Sequence, residues 1–129
     1  MELVFDVKSP ILGFEDLHKV ELKKIDDFFA SIKSVDKPLM SFTVVNPYAL
    51  REYSFDVPVP IKVLLDVKEN SKIEVFNVVV LQNPIEKSLI NFLAPIIFNY
   101  DNMTMGQIIL DQATHPTFSF AQEFSQFIK

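Results

Sequence analysis

Apolar and polar positions alternate along short blocks of this chain, and a period of two is the mark of strands whose two faces meet different surroundings. Over residues 2–8, Leu3, Phe5 and Val7 share one face while Glu2, Asp6 and Lys8 take the other. The same alternation runs over residues 18–23 and again over 52–57, where Tyr53, Phe55 and Val57 oppose Glu52, Ser54 and Asp56. Three longer stretches, residues 40–45, 72–82 and 89–100, carry Val, Ile and Phe on both faces and are expected to lie deeper or beneath a partner. Turn residues separate the blocks at Ser9-Pro10, Asp36-Lys37-Pro38, Asn46-Pro47, Asn70-Ser71, Asn83-Pro84 and residues 99–102. Strands of this length and spacing predict an all-β chain, a small antiparallel barrel or a sandwich. Pro95 interrupts the most apolar run and, lacking a ladder donor, predicts an edge or a bulge there.

Two segments keep a different rhythm. Residues 59–67 follow closely spaced prolines, and Pro60 suits a first helical turn, so one short crossing helix is expected. Ser119 and Gln122 have capping-box spacing, while Phe120, Phe124, Phe127 and Ile128 recur at helical spacing, which predicts a C-terminal amphipathic helix with an aromatic face. Ile25, Phe28, Phe29 and Ile32 fit a helix, but residues 29–34 and 39–45 around Asp36-Lys37-Pro38 fit a hairpin equally well. The expected organisation is a barrel domain over residues 1–116 and a helical tail over residues 117–129.

Length and composition add bounds. A chain of 129 residues, 49% hydrophobic, can bury one core, which excludes global disorder. It has no Cys, so disulfides, a thiolate nucleophile and Cys-based zinc are excluded and a cytoplasmic setting is expected. Glu2 sits where a signal peptide carries positive charge, and no apolar run nears the roughly 18 residues of a membrane span, so no membrane role is expected. The formal net charge is -5, and no Lys or Arg occurs over residues 88–128. Nucleic-acid affinity comes largely from cations displacing counterions from phosphate, so direct nucleic-acid binding is not expected, and Lys19, Lys23 and Lys24 suit a solvated strand face.

Catalytic chemistry finds little material. Gly13 and Gly106, the only glycines, cannot build a phosphate-cradling loop. His18 lies on an alternating strand beside Lys19 and His115 precedes Pro116 in an expected loop, which suits two surface histidines better than metal ligands, and the adjacent pairs Glu15-Asp16 and Asp26-Asp27 point apart on an extended chain. No Gly-x-Ser-x-Gly elbow surrounds any serine, so no enzyme, cofactor or metal site is expected. The excess lies in 13 Phe and 3 Tyr, more than a small barrel must bury, and exposed apolar surface marks a protein partner. Asn91 and Asn99 interrupt the most apolar run, either buried and hydrogen-bonded or lining a recognition surface.

Five blocks carry a resemblance. Ile11-Leu12-Gly13-Phe14-Glu15, Ser34-Val35-Asp36-Lys37-Pro38, Phe42-Thr43-Val44-Val45-Asn46-Pro47, the run from Asn91 through Ala94-Pro95-Ile96 to Asn99, and Gly106-Gln107-Ile108-Ile109-Leu110 follow one another in the order and spacing of the bacterial flagellar assembly factor FliW family. The chain resembles that family from about Ile11 to Pro116. The resemblance implies a small antiparallel barrel without enzymatic activity that binds flagellin in the cytoplasm. When free of flagellin, it implies, the barrel binds the translational regulator CsrA and lifts repression of flagellin messenger RNA. The expected partner-binding residues are Phe14, Glu15, Tyr48, Asn91, Ala94, Pro95, Asn99, Phe120, Phe124 and Phe127, with a groove along residues 91–99 and Phe14 and Tyr48 as aromatic anchors. The chain departs from the family pattern in a compact stretch over 53–67, in Phe28-Phe29 where a Trp is common, and in its extension beyond His115-Pro116. That tail is expected to pack on its own barrel, with self-association or a partner contact as its other uses. A barrel binding single-stranded nucleic acid on aromatic platforms, or one holding a small molecule, is the rival reading.

Overall fold

The computed structural model describes residues 3–37 and 39–128. Met1, Glu2, Pro38 and Lys129, which the expectations above include, lie outside them. The strands are β1 (Leu3–Ser9), β2 (Lys19–Lys24), β3 (Phe29–Ser34), β4 (Ser41–Val45), β5 (Ile73–Val80), β6 (Leu89–Ile90), β7 (Ile96–Asn99), β8 (Thr104–Gln107) and β9 (Gln122–Glu123). One α-helix occurs among the described residues, α1 (Val59–Leu65), with Pro60 in its first turn as expected. The choice left open between a helix and a hairpin resolves as the hairpin: β3 and β4 pair from Phe29 opposite Val45 to Lys33 opposite Ser41.

Seven strands close into a ring in the order β1-β2-β3-β4-β5-β7-β8, and β8 returns to β1. Six neighbouring pairs are antiparallel and the β1–β8 seam is parallel, a departure from the all-antiparallel expectation. The cause is parity, because an odd ring of alternating directions leaves one pair of neighbours running the same way. At this seam β8 passes so close to β1 that a Cβ on Gly106 would stand 2.8 Å from the Ser9 Cβ, which a side chain cannot tolerate.

Alternation divides the apolar residues between two cores. Phe5, Val20, Leu22, Ala30, Ile32, Val44, Phe76, Ile96, Phe98 and Met105 fill the lumen. Phe5 and Phe98 meet edge to face there, their ring centroids 4.9 Å apart. The lumen is thus filled by apolar side chains among the described residues. Val45, Val75, Val79 and Ile97 belong to a second core on the outer face, covered by residues 50–67 and 108–128 through Tyr53, Leu65, Leu110, Phe118 and Phe124, with Phe92 and Leu93 from the segment between β6 and β7. The strands read as apolar on both faces do have a cover, and it is the chain itself.

Three expected elements differ. Residues 52–57 form no strand, although they keep their alternation: Tyr53 is buried, Phe55 and Val57 are half-buried, and Glu52, Ser54 and Asp56 are exposed. Their side chains dock on the outer core while their backbone stays out of the ladder. The run 89–100 splits into β6 and β7, because residues 91–95 bulge out around Pro95. The C-terminal amphipathic helix is absent: β9 and a 3-10 turn over Phe124–Gln126 stand in its place. Gln122 pairs with Ile90 and Glu123 with Leu89, and the Phe124 N–H donates to the Ser88 carbonyl at 2.8 Å. A helix would forfeit those long-range bonds and lift Phe124 from the core. Half of the capping-box geometry survives, since the Gln122 Oε1 accepts from the Ser119 N–H at 3.1 Å.

Candidate partner-binding surface

The outer core is sealed by a polar lattice. The Tyr53 hydroxyl donates to the Phe92 carbonyl at 2.6 Å and accepts from the Asn77 Nδ2 at 3.2 Å. Asn77 also donates to the Asn91 carbonyl at 2.9 Å, and its Oδ1 is buried without a partner among the described residues. Burial raises the Tyr53 phenol well above its ordinary value, opposed by the Asn77 hydrogen bond. Arg51, the only arginine, lies over three rings at once, with its guanidinium carbon 5.0 Å from the Phe92 centroid, 4.7 Å from Phe118 and 5.5 Å from Phe127. Its Nη1 also reaches the Thr117 carbonyl at 3.4 Å and the Gln122 Oε1 at 3.3 Å, so one cation ties the tail to the barrel.

The expected site residues separate by burial. Ala94 (1% exposed), Asn99 (0%) and Phe124 (5%) are interior, and Pro95 is buried, so none of these four forms an open contact surface. Ala94 offers its carbonyl to the Gln107 Nε2 at 3.1 Å, and the Gln107 Oε1 accepts from the Leu12 N–H at 2.7 Å. The Pro95 carbonyl accepts from the Ile108 N–H at 2.9 Å. Asn99 donates to the Leu65 carbonyl at 2.8 Å, joined by Asn102 at 2.9 Å, and together they cap the end of α1, where Asp66 takes a left-handed φ of 52°. These family-like blocks build scaffold. An apolar open surface over the final third is not found either, since Ile109 and Phe120 are the large apolar side chains exposed there among the described residues.

The remaining candidates stay reachable. Tyr48 is 54% and Phe120 53% exposed. Asn91 is half-buried, its Oδ1 accepting from the Leu93 N–H at 3.1 Å. These three adjoin one aromatic cluster: Tyr48 meets Tyr53 at 6.0 Å, Asn91 precedes Phe92, and Phe120 follows Ser119, whose carbonyl accepts from the Phe92 N–H at 3.0 Å. Phe127 is half-buried beneath Arg51. Phe14 and Glu15 lie elsewhere, on the loop between β1 and β2, where Phe14 stacks on Phe42 at 4.8 Å. Glu15 is exposed and accepts from the N–H of Gly13, whose φ of 88° only glycine takes readily.

Sequence reasoning missed two features. Val59 and Val63, one helical turn apart on α1, are 69% and 74% exposed, and their i, i+4 spacing was the available signal. The other is a length of β5 whose backbone edge has no ladder partner among the described residues, which no residue pattern announces.

These features define a small closed β-barrel whose lumen is core and whose free chemistry lies on its outside. A family model described as FliW protein matches residues 1–120. Flagellar assembly factor FliW 1 of Wolinella succinogenes is 49% identical over 127 residues, covering 98% of this chain and 99% of its own length. Flagellar assembly factor FliW of Sulfurimonas denitrificans is 42% identical over 125 residues, covering 97% and 98%. A crystal structure of the flagellar assembly factor FliW superposes with a TM-score of 0.85 over 98% of this chain and 87% of that one, at 19% identity, and shows the shared fold. The chain belongs to the FliW family.

Proposed function

We propose that this chain serves flagellar assembly in the cytoplasm as a partner switch: it holds flagellin and, once flagellin has been exported, captures CsrA and relieves repression of flagellin messenger RNA. The observation that carries this reading is the family match over residues 1–120 with relatives 42% and 49% identical along nearly their whole lengths. A lumen filled by apolar side chains leaves the outside of the barrel to meet a partner. A net charge of -5 suits CsrA antagonism, because an acidic body held beside an RNA-binding surface repels RNA without covering it. A coupling of about 1–3 kcal/mol changes RNA affinity by roughly 5- to 150-fold.

The partner surface is placed at Asn91 and Phe120, with Tyr48 at its margin and Phe14 and Glu15 as a separate contact. Phe120→Asp and Asn91→Arg should weaken capture of purified flagellin or CsrA at unchanged melting temperature. Ala94→Arg is no test, since a side chain 1% exposed offers a guanidinium nowhere to go but the core. Binding of both partners unaltered by the two surface variants would move the site. If CsrA–RNA affinity responds to this protein equally in low and high salt, the electrostatic part of the mechanism fails.

A further inference from the structure

The strand β5 has a full partner on one edge and only half a partner on the other. Its even-numbered residues turn their backbone groups toward β7 and β6: the Lys72 carbonyl accepts from the Tyr100 N–H at 2.9 Å and the Val78 carbonyl from the Asn91 N–H at 3.0 Å. The odd-numbered residues therefore face β4. Val79 and Asn77 find partners there, opposite Thr43 and Val45. Ile73 and Val75 do not, because β4 ends at Val45 and the chain swings into the 3-10 turn Pro47–Ala49. No hydrogen bond to the N–H or C=O of Ile73 or Val75 on that side occurs among the described residues. Two donors and two acceptors thus stand in a row, fully open at Ile73, which is 39% exposed, and narrowly so at Val75, which is 6% exposed with its side chain in the outer core, and such a row is the template a further strand requires.

A hollow lies along this edge. It has a volume of about 310 Å³ and is lined by Asn46, Tyr48, Ile73, Glu74 and Val75. A second hollow of about 210 Å³ shares Asn46 and Glu74 with it and reaches Lys24, Asp26, Asp27 and Phe28 at the turn between β2 and β3. Ile73 is 39% and Phe28 37% exposed, and with Tyr48 they give the trough apolar flanks. Its charges are unbalanced: three carboxylates, Asp26, Asp27 and Glu74, face one ammonium, Lys24, which sits 2.8 Å from Glu74. Asp26 accepts from the N–H groups of Phe28 and Phe29 and so fixes the turn, whereas Asp27 has no ion-pair partner among the described residues.

We propose that this edge takes up an extended, lysine- or arginine-bearing segment of another polypeptide, which adds a strand alongside Ile73 and Val75. Backbone bonding supplies the register, Tyr48 and Ile73 pack against alternate side chains, and Asp26 and Asp27 receive a cation of the incoming segment. The surplus of negative charge argues against a second copy of this chain, itself at -5, as the occupant. The inference does not rest on the flagellin and CsrA reading, whose surface variants lie at Asn91 and Phe120.

A capped Lys-Val repeat peptide is the probe, with a Glu-Val repeat of equal length as control. At saturating Lys-Val peptide the amides of Ile73 and Val75 should exchange with deuterium at least roughly tenfold more slowly. The Glu-Val peptide should bind at least about fivefold more weakly, with the gap closing near ~0.5 M salt. Ile73→Pro removes a donor that no ladder bond uses, at the first position of a strand, where proline is tolerated. It should weaken the Lys-Val peptide about tenfold with melting nearly unchanged. Should that variant fail to fold, Asp27→Asn on the surface takes its place and should weaken the Lys-Val peptide alone. The proposal is overturned by equal binding of the two peptides, by protection that bypasses Ile73 and Val75, or by a folded Ile73→Pro with unchanged affinity. Sedimentation showing a dimer that protects these amides without peptide would also overturn it, by making a second copy the occupant.

Discussion

On β1, β2 and β3 the charged outward positions are Asp6, Lys8, Lys19, Glu21, Lys23 and Lys33, all exposed or half-buried, with Lys19 paired to Asp6 across the register at 3.4 Å, and only Phe29 at the start of β3 reaches the outer core. On β5 and β7 the outward positions Val75, Asn77, Val79 and Ile97 lie under two long segments, with Ile73 at the open end of β5. Both halves present the same kind of apolar wall to the lumen. The second face decides whether a strand is left in water or covered, and the covering chain brings its own polar lattice for the Asn77 and Tyr53 groups it buries.

The sharpest way to break this contrast is to remove the cover. Truncation after Thr117 deletes Phe118, Phe124 and Phe127 together; each buried Phe carries about 3–5 kcal/mol, and a domain holds about 5–15 in all, so the truncated chain should be unfolded or aggregated by circular dichroism. Next in size, Phe124→Ala should cost about 3–4 kcal/mol in urea denaturation, against under about 0.5 for the neighbouring exposed Phe120→Ala. Arg51→Leu should cost about 1–2 kcal/mol and speed exchange of the Phe124 amide, because the tail loses its cation over three rings.

Tyr53→Phe should cost about 1 kcal/mol at neutral pH by leaving Asn77 a poorer partner. Tyr53 titrates above its unfolded value of 10.0, so its contribution is whole below pH 10 and declines as the unfolded chain ionises above it. The gap between parent and variant should therefore narrow in alkaline denaturation above pH 10. The smallest effect belongs to the bare half, where Lys33→Glu should move stability by no more than about 0.5 kcal/mol.

Local pattern carried β1, β2, β4, β5 and β7, the helix at Pro60 and the break at Pro95, because each follows from a residue and its immediate neighbours; it left β3 undecided and gave no sign of β8, four residues long and buried at every position. It also flagged residues 72–82 and 89–100 as needing a cover. Local pattern could not say that the cover is the tail, since β9 meets β6 through bonds between residues over thirty positions apart. Spacing of Phe120, Phe124, Phe127 and Ile128 imitated a helix for the same reason: an extended strap also presents apolar side chains to whatever lies beneath it. Among the site residues, Tyr48, Phe120 and Glu15 are exposed, Phe120 against the expectation that it shares a packing face with Phe124, whereas Ala94, Pro95, Asn99 and Phe124 answer to demands inside the fold. The blocks that carry the family resemblance are here largely scaffold.

The parallel seam at β1 and β8 constrains how such a fold can change size. Hairpins enter or leave a ring two strands at a time, so a relative that gains or loses one keeps an odd count and keeps a single same-direction joint. Only the loss or capture of a lone strand would abolish that joint. Where the two backbones crowd at Gly106 and Ser9, the ring therefore holds its one fixed landmark, and enlargements of the fold belong at its hairpin tips.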